Sequence, residues 1–340
     1  MPTRKDVAEL AGVSEVTVSR VFSQNSYVSK EKENLVRNAA EQLRYQPNPI
    51  AVSLKKNVTK QILLLLPEQD FENSYYSTLY KGAVRYAEKA GYLLAVSADM
   101  RFSRISKKMF DGLILVNSTF SPEELKKNLR VPATVLGFGE EFAYPWLENI
   151  VVDTGLAMDL MIGHLRSLGH MRIAFALPRH TLLGGMLSQR YNRYVELSQC
   201  VFKENIEEYV FGIERNEAEK ELINYYHYGR RAAEQIFKQK PDITAVICFN
   251  DEVALGLIGR LQSLGIKVPE DLSVAGIDDI IYGEHSVPPL TTVRLPAIQQ
   301  GEESVRRLIN CIEGNRPLEK AIFSLDIVSR DSVRALLPGI

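Results

Sequence analysis

Cysteine and histidine are scarce in this chain of 340 residues, which contains three cysteines and five histidines. The odd number and wide spacing of Cys200, Cys248 and Cys311 do not indicate a disulfide framework, so we expect buried free thiols in a reducing compartment. No histidine has a carboxylate or cysteine companion at the spacing of metal ligands. The sequence therefore predicts no metal site.

Long apolar runs are also missing. No uncharged stretch approaches the length that spans a bilayer, and the first ten residues, MPTRKDVAEL, lack the apolar region of a secretory leader. We therefore expect a cytoplasmic protein with no membrane partner. Gly137 with Gly139, and Gly184 with Gly185, do not complete a phosphate-cradling motif, so we predict no catalytic residue, no cofactor and no enzymatic activity.

An excess of one charge occurs only locally. The net charge of the chain is −1, but residues 1–60 contain ten Lys and Arg against six Asp and Glu, whereas residues 61–340 contain 31 against 36. A basic excess confined to one small segment is expected of a module that approaches phosphates. A chance fluctuation in a solvated surface would give the same split, so charge alone does not decide.

The first sixty residues show helical patterns with little strand signal. One helix is predicted over residues 6–11 and stops at Gly12. Ser14 is a suitable N-cap for a second helix that extends to Phe22. The helical period turns two sets of its side chains opposite ways: Val18, Val21 and Phe22 on one face, and Val16, Ser19 and Arg20 on the other.

A third and longer helix is predicted to begin after an N-cap at Ser29 and to end at Pro47 and Pro49. Its apolar positions recur at the helical period and form one stripe. The members of this stripe are Leu35, Val36, Ala39, Ala40 and Leu43.

Beyond Lys60 the pattern changes to apolar runs that alternate with amphipathic stretches such as 78–90 and 251–264. Strands that are apolar throughout, each followed by a helix, indicate parallel sheets covered on both faces. About 280 residues of this pattern exceed what one sheet readily holds, so two similar lobes are expected. The predicted buried strands are 62–66, 92–96, 112–116, 133–137, 150–152, 172–177, 244–249 and 272–277.

The segment AGVSEVTVSRVF at residues 11–22 combines a helix, a glycine turn and a second helix with a polar outer edge. That spacing lets the second helix lie in a major groove of DNA, although short helical hairpins also occur as plain core elements. The runs KDVAELAGVSEVTVSRVF, VSKEKENLVRNAAEQLRYQPN and IAVSLK resemble the LacI/GalR family of bacterial transcription regulators. The resemblance continues through HLRSLGHMRIAFALP, ICFNDEVALG and residues 268–294, and so covers nearly the whole chain.

The resemblance implies a small all-α helix-turn-helix domain and a two-lobed α/β domain with parallel sheets, like that of periplasmic binding proteins. Residues 1–46 would form the DNA-binding domain, 47–60 a hinge helix and linker, and 61–340 an effector-binding and dimerisation domain. Within the last, lobe one is expected at about 61–159 and 292–322, and lobe two at about 160–291 and 323–340.

On the second helix, the resemblance places Glu15, Val16 and Arg20 at base-reading positions. Arg20 would bond a guanine, Glu15 would accept from a cytosine amino group, and Val16 would pack against a thymine methyl. Thr17 and Ser19 would hold phosphates, which position the helix without reading sequence. Glu15 could instead be a first-turn carboxylate that favours the helix dipole.

The hinge resembles a short helix that family members form on DNA, where paired hinges enter the minor groove. Leu54 matches the apolar wedge that unstacks a base step. Ala51 would pack near the groove floor or the partner hinge, and Lys55 near phosphates. Val52 departs from the family, in which Arg is frequent at this position. A plain interdomain linker is the alternative.

Polar side chains follow the predicted strands, at the edge where open α/β sheets place their ligands. Carboxylates and amides suit sugar hydroxyls, while an aromatic face covers the apolar side of a sugar ring. Asn250 and Asp251 could equally be helix N-caps, and for Asp251 we prefer that interpretation. The residues concerned are Asp70, Asn117, Asp153, Asn250, Asp251, Asp278 and Asp279.

The resemblance assigns effector contacts to six side chains, with Tyr76 the one that would stack on the ligand. Trp146, in the loop before 150–152, could face the pocket or serve packing alone. The six are Tyr75, Tyr76, Trp146, Arg190, Asn250 and Asp278.

Some positions depart from the family pattern. Ile277 replaces an aromatic residue, Arg193 replaces a frequent glycine, and Asn224 stands where several members have a stacking aromatic, although Tyr225 is nearby. The segment 91–111 is shorter than is usual in the family, and in this respect the chain resembles the galactoside-responsive branch. Galactose, lactose or a related galactoside is therefore the expected effector, with a purine or another metabolite as the alternative.

The function implied is that of a repressor of carbohydrate-utilisation genes whose operator affinity is controlled by a small sugar. Two DNA modules must be held at a fixed spacing to read a roughly palindromic site, so a homodimer, or a higher oligomer built from it, is expected. A free sugar-binding protein would share the lobes but have no use for residues 1–56. A sugar-metabolising enzyme would need a catalytic site, and none is evident in the sequence.

Overall fold

The structure is a computed structural model, and it describes residues 2–23, 27–46, 58–67, 70–99, 101, 109–117, 120–137, 143–178, 186–212, 224–239, 241–316 and 318–336. The described residues up to Lys60 form one compact unit, the N-terminal unit, and almost all of those from Gln61 onward form the C-terminal unit. The predicted hinge contacts Ala51, Leu54 and Lys55 lie outside the described residues. In the part of the chain that is described, no helix is long and apolar enough to cross a membrane.

The N-terminal unit contains the helices α1 (Arg4–Leu10), α2 (Glu15–Ser23) and α3 (Lys30–Gln42). Thr3 and Asp6 form a capping box at the start of α1, in which each side chain accepts a hydrogen bond from the other's backbone amide. Gly12 turns the chain towards α2 with φ of 64°, a left-handed conformation that glycine adopts without steric penalty. Ser14 caps α2 as predicted, since its Oγ accepts from the Thr17 amide at 3.2 Å.

All three helices contribute to one small core. The predicted inward face of α2 is confirmed for Val18 and Val21, which are buried, and Phe22 packs against the same core. The prediction for Leu35 is wrong: this side chain is 47% exposed, because it lies at the edge of the α3 stripe, about 90° of helix rotation from its centre. Ser29 precedes α3 as expected, but its side chain makes no capping hydrogen bond.

The first sheet of the C-terminal unit has the strand order β2-β1-β3-β4-β6-β5. Neighbouring strands are parallel except β5, which pairs antiparallel with β6. In the register of the first three strands, Ile62 lies between Leu94 and Gly112. The strands are β1 (Gln61–Leu65), β2 (Leu93–Ser97), β3 (Gly112–Val116), β4 (Ala133–Gly137), β5 (Ala143–Tyr144) and β6 (Leu147–Val151).

The second sheet has the order β12-β11-β10-β9-β7-β8 and is parallel except for β12. The predicted parallel strands are confirmed in both sheets, and β9 and β10 are buried along their whole length. The predicted burial is wrong for β2, which lies at the edge of its sheet and has Leu93 64% exposed. The short strands β5, β8, β11 and β12 were not predicted, because, unlike β7 and β9, they do not lie within longer apolar runs. The strands are β7 (Ile173–Ala176), β8 (Val210–Phe211), β9 (Ala245–Cys248), β10 (Ser273–Asp278), β11 (Thr291–Arg294) and β12 (Asp326–Val328).

Helices cover both sheets. They are α4 (Ser74–Lys89), α5 (Pro122–Asn128), α6 (Thr154–Ser167), α7 (Met186–Phe202), α8 (Tyr225–Gln239), α9 (Asp251–Ser263), α10 (Ile281–Glu284) and α11 (Ala297–Ile312). Helices α4 and α11 pack together on the first sheet, and α8 and α9 pack together on the second. The α4–α11 contact needs glycine, because a Cβ on Gly82 would lie 2.1 Å from the Ile298 carbonyl oxygen.

Two expected lobe boundaries differ from the structure. Strand β11 pairs with β10, so residues 292–294 belong to the second sheet. Helix α6 packs against α7 and against β11 and β12, so residues 154–159 also lie with the second sheet. The lobe therefore changes before Thr154 and after Arg294, at loops whose sequences carry no signal for a crossing.

Two of the cysteines fit the expectation of unpaired thiols. Cys248 and Cys311 are free and buried in the structure. Burial and the nearby Glu148 carboxylate together raise the pKa of the Cys311 thiol to about 12, so this thiol stays protonated and inert.

Candidate functional site

Helix α2 has an outward face that the core does not use. Val16 is 60% exposed and Arg20 is exposed, with Ser19 half-buried beside them, whereas Val18 and Val21 point inward. An aliphatic side chain and a guanidinium on one short helix are groups that can meet a thymine methyl and a guanine edge in a major groove. The structure thus places two of the predicted base-reading side chains on one accessible face.

Glu15 and Thr17, on the same helix, are engaged within the N-terminal unit. Arg4 contacts Glu15 Oε2 through Nε and Nη2, both at 3.0 Å, and about half of each side chain is exposed. The Thr17 hydroxyl lies 3.0 Å from the hydroxyl of Ser14. Both contacts engage Oε2, so Oε1 remains an acceptor for a base while Arg4 restricts the orientation of the carboxylate. Sequence reasoning missed Arg4, which lies eleven positions away.

A narrow, nearly closed cavity lies in the C-terminal unit, where the carboxyl ends of strands from both sheets meet. The start of α4 supplies one wall from the first lobe, and α7, α8 and the ends of β9 and β10 supply the other from the second. Five of the six predicted effector residues lie around this cavity. Its lining is Asn73, Tyr75, Tyr76, Arg190, Tyr225, Phe249, Asn250, Asp278 and Leu295.

Trp146 is the predicted effector residue that does not line the cavity. It packs, partly buried, on a separate core cluster of the first sheet and stacks on Tyr144 with ring centroids 6.2 Å apart. The reason is its position directly before β6, at the amino end of a parallel strand, whereas the cavity lies at the carboxyl ends. The structure supports the packing alternative for this residue.

Arg190 is the cation of the cavity and is fully buried. Its Nη1 donates to the Phe249 carbonyl, and its guanidinium lies 4.7 Å from the centroid of the Phe249 ring. Its Nη2 lies 3.7 Å from Asp278 Oδ1, which is an ion pair too long for a hydrogen bond. Both Nε and Nη2 have no hydrogen-bond partner, so a ligand with an oxygen or nitrogen acceptor would satisfy them.

Asp278 ends β10 in an unusual backbone conformation, with φ of 133°, and Asp279 follows with φ of 59°. Arg294 and Arg330 hold this turn by donating to the Asp279 carboxylate at 2.6 and 2.7 Å. Burial raises the pKa of Asp278, while the Arg190 guanidinium lowers it. The turn thus keeps the Asp278 carboxylate beside the Arg190 cation.

Of the two residues weighed as N-caps in the sequence, Asn250 and Asp251, only the first has that role. Asn250 is the N-cap of α9, because its Oδ1 accepts from the Val253 amide at 2.9 Å. Asp251 does not cap, so the interpretation preferred for it is wrong. Its carboxylate is fully buried and accepts from the Ile280 amide and the Thr292 hydroxyl at 2.9 and 2.6 Å. Burial raises the pKa of Asp251 to about 7.

Tyr75 and Tyr76 are oriented from behind the cavity wall. The Tyr75 hydroxyl donates to Gln300 Oε1 at 2.8 Å, so its oxygen offers only lone pairs to the cavity. Asn117 donates to the Tyr76 hydroxyl and to Asp70 Oδ2, the latter at 3.0 Å. Burial raises the pKa of Asp70 to about 6, and the bond from Asn117 opposes that rise.

Four lining residues were not predicted. Phe249 ends an apolar run and so resembled core, while Leu295 follows a strand that the pattern did not show. Asn73 is the N-cap of α4, a signal the sequence offered and we missed. Tyr225 stacks on Phe249 with ring centroids 6.0 Å apart. It follows Asn224, the position at which several family members have an aromatic residue.

The cavity combines one cation, one carboxylate, two amides and four aromatic rings. Once the lobes separate enough to admit it, this set can hold a small ring-shaped molecule that accepts from Arg190 and donates to Asp278 and Tyr75, with its faces against aromatic rings. In the part of the chain that is described, His, Cys, Asp and Glu form no cluster of three or more that could hold a metal ion.

Comparison with known families gives two matches along the chain. Residues 3–48 match the profile described as "Bacterial regulatory proteins, lacI family". Residues 162–333 match the profile of a periplasmic binding protein-like domain. The first match covers the N-terminal helices, and the second covers the cavity residues that follow α6.

Curated relatives align along the whole chain. The HTH-type transcriptional repressor PurR of Vibrio atlanticus is 32% identical, over 99% of this chain and 100% of the relative. The NTD biosynthesis operon regulator NtdR of Bacillus subtilis is 29% identical, over 96% of this chain and 97% of its own. Among solved structures, a Lac repressor dimer bound to operator and the anti-inducer ONPF superposes with a TM-score of 0.78 at 24% identity, over 98% of this chain and 99% of that one.

Proposed function

This chain belongs to the lacI family of bacterial regulatory proteins, and on that premise we propose that its affinity for an operator is controlled by a small sugar held in the cavity between its lobes. It is a DNA-binding transcription repressor with an effector-binding domain. The observation that carries the proposal is the buried Arg190, whose two unpartnered N–H donors face a cavity lined by carboxylate, amide and aromatic groups.

A sugar suits this cavity because its hydroxyls both donate and accept. One ring oxygen or hydroxyl would accept from Arg190, neighbouring hydroxyls would donate to Asp278 and Tyr75, and Tyr76 would cover the apolar face. Galactose or a galactoside is the narrower proposal and rests only on the short segment 91–111. Carbohydrate-utilisation genes would then be the targets.

A purine base is the second candidate. Four aromatic rings line the narrow cavity, which favours a flat ligand, and the PurR repressors align with 99% of this chain at 30–32% identity. The carbonyl oxygen or a ring nitrogen of the base would accept from Arg190, and a ring N–H would donate to Asp278. The two candidates differ in the hydrogen bond at Tyr75, because a sugar would donate from a hydroxyl to the Tyr75 oxygen.

For DNA we propose that Arg20 and Val16 read bases, while Thr17 and Ser19 hold phosphates. The exposure of Val16 and Arg20 on α2 supports the base-reading role. Glu15 would join them through Oε1, the carboxylate oxygen that Arg4 does not engage. Ala51, Leu54 and Lys55 of the hinge would enter the minor groove as the resemblance implies.

A homodimer would set the spacing of two such helices on the operator. Exposed apolar side chains on both lobes of the C-terminal unit support association with a second copy of this chain. They are Phe71 and Tyr80 on the first lobe, and Ile281, Tyr282 and Val287 on the second. Closure of the lobes around an effector would change the separation of the paired hinges. Acting on DNA, the dimer would work in the cytoplasm.

A gel-shift titration with the DNA upstream of the protein's own gene tests this function, first without and then with a panel of sugars and purine bases. We expect binding below micromolar concentration, and one panel class that changes it by at least about tenfold. Binding no tighter than to random DNA would refute the repressor, and a panel without effect would refute both effector classes. Thermal-shift measurements with the same panel distinguish a compound that does not bind from one that binds without changing the affinity for DNA.

A further inference from the structure

The two lobes meet beside the cavity through a hydrogen bond between the starts of two helices. Ser74, the first residue of α4, donates its amide to Glu252 Oε1 at 3.0 Å. Helix α4 packs with α11 on the first sheet, whereas α9, which carries Glu252, packs with α8 on the second. The bond therefore joins the two lobes.

Glu252 is buried, with 3% of its surface exposed, so its carboxylate needs a partner. Asn73 Oδ1 already accepts from the Tyr75 amide at 2.8 Å, which leaves the Ser74 amide as a separate N-terminal donor of α4. A carboxylate at this point is also favoured by the dipole of α4. Burial raises the pKa of Glu252, and the bond from Ser74 opposes that rise.

The contact adjoins the cavity in both lobes. Asn73 precedes Ser74 and lines the cavity, while Asn250, two positions before Glu252, lines it from the other side. Tyr75 and Tyr76 follow Ser74 directly. Any change in the separation of α4 and α9 therefore moves the two tyrosines relative to the wall of the second lobe.

We propose that Glu252 is an interlobe latch, whose carboxylate holds the start of α4 from the opposite lobe and so keeps the cleft closed. It is a positioning residue, because it acts on the effector through Ser74 and the tyrosines that follow. An effector enters and leaves when the latch opens, so the latch sets the fraction of closed molecules that the effector meets. The latch does not depend on the effector being a sugar or a purine.

Two variants remove the bond from opposite ends. Glu252→Ala removes the acceptor. Ser74→Pro removes the amide donor together with the serine hydroxyl, which also acts on Glu252. Proline lacks an N–H and suits the first position of a helix, and Asn73 before it already has the extended backbone that proline requires, with φ of −77° and ψ of 122°. Glu252→Gln keeps an acceptor oxygen and should preserve closure.

Lobe separation is measured by pulsed EPR on the full chain without effector, with spin labels at Lys127→Cys and Lys238→Cys in a Cys200→Ser background. Both label sites are exposed, one on α5 in the first lobe and one on α8 in the second. Labelled chains are diluted with unlabelled ones, so that only distances within a chain are read. We expect Glu252→Ala and Ser74→Pro to raise the ratio of open to closed molecules roughly tenfold, as the loss of one charge-assisted hydrogen bond predicts.

Glu234→Ala is the matched control, because the ion pair of Glu234 with Arg260, at 3.1 Å, lies within the second lobe. It should leave the distance distribution unchanged. Unchanged distances in both latch variants, or an equal change in the control, would overturn the latch. The measurement uses neither effector nor DNA, so failure of the proposed regulation would leave its outcome intact.

Discussion

The N-terminal and C-terminal units each present polar side chains to a ligand, but they assemble them over very different lengths of chain. The outward face of α2 is made within Glu15–Ser23, where the helical period alone separates Val16 and Arg20 from the core. The cavity draws on residues from Asn73 to Leu295, which reach it from helices and strand ends far apart in the sequence. A surface built on one helix depends on local pattern, whereas a cavity built between lobes depends on how sheets, helix pairs and crossings pack.

The largest expected effect tests the packing that the cavity depends on. Arg307 on α11 lies 2.7 Å from Glu148 on β6 and 2.7 Å from Glu303, and both Arg307 and Glu148 are buried. Arg307→Ala leaves Glu148 buried and unpaired, so we expect the unfolding free energy of the C-terminal unit to fall by about 3–5 kcal/mol. Urea unfolding followed by the fluorescence of Trp146, the single tryptophan, reports on this unit.

Arg306→Ala is the control for that prediction, because Arg306 bonds the same Glu303 but is 42% exposed. Its cost should stay within about 1 kcal/mol. An equal loss in the two variants would mean that burial of the ion pair does not decide the stability of the C-terminal unit.

The next effect separates the cavity from the DNA-reading face. Asp278→Asn keeps the shape of the side chain but removes the counter-charge of Arg190 and the strongest acceptor of the cavity. We expect the effector concentration at half response to rise about 100-fold, while operator affinity without effector stays unchanged. Fluorescence anisotropy of labelled operator measures both. With Asp242→Asn, at an exposed site, the dose response should stay as in the parent protein; an unchanged response in Asp278→Asn would remove Asp278 from the site.

Arg20→Ala makes the converse test in the N-terminal unit. It should lower the ratio of operator to random-DNA affinity by about 10–100-fold, since one bidentate base contact contributes roughly 1–3 kcal/mol of discrimination. Arg37→Ala removes the same charge from α3, where Arg37 pairs with Glu33, and should weaken both DNAs alike. Equal losses on operator and random DNA with Arg20→Ala would assign this residue to phosphates instead of bases.

The smallest effect concerns protonation behind the cavity wall. Folded Asp70 keeps its proton up to about pH 6, whereas the unfolded chain releases it near pH 3.8. The folded state therefore binds more protons between these values, and stability falls as pH rises through this window. Asp70→Asn removes that loss, so we expect a gain of roughly 1–2 kcal/mol at pH 7 that disappears below about pH 4. Urea titrations of both proteins at the two pH values measure the difference in their unfolding free energies. A difference that is the same at both pH values would mean that the raised pKa does not belong to Asp70.

Sequence pattern predicted most elements but fewer of their contacts. Parallel buried strands such as β3 and β4 were located to the residue, because their apolar runs have no other favourable place than between two helix layers. For Trp146 the sequence left a pocket role and a packing role open, and for Leu35 it showed only membership of an apolar stripe, since only packing shows which side such a residue faces. Asp251 was misjudged because its partners, Ile280 and Thr292, are distant in sequence.

The sequence by itself determined the kinds of units in this protein, the face of α2 that stays in solvent, and the set of residue types that meet a small ligand. Period and apolar content fix these features, because burying apolar side chains dominates the free energy of each element. Only the tertiary structure decided that Tyr75, Arg190 and Asp278 share one cavity, that Trp146 does not, and that Glu252 reaches across to Ser74. Those outcomes depend on how two sheets are placed against each other, and contacts between distant residues leave no periodic trace along the chain.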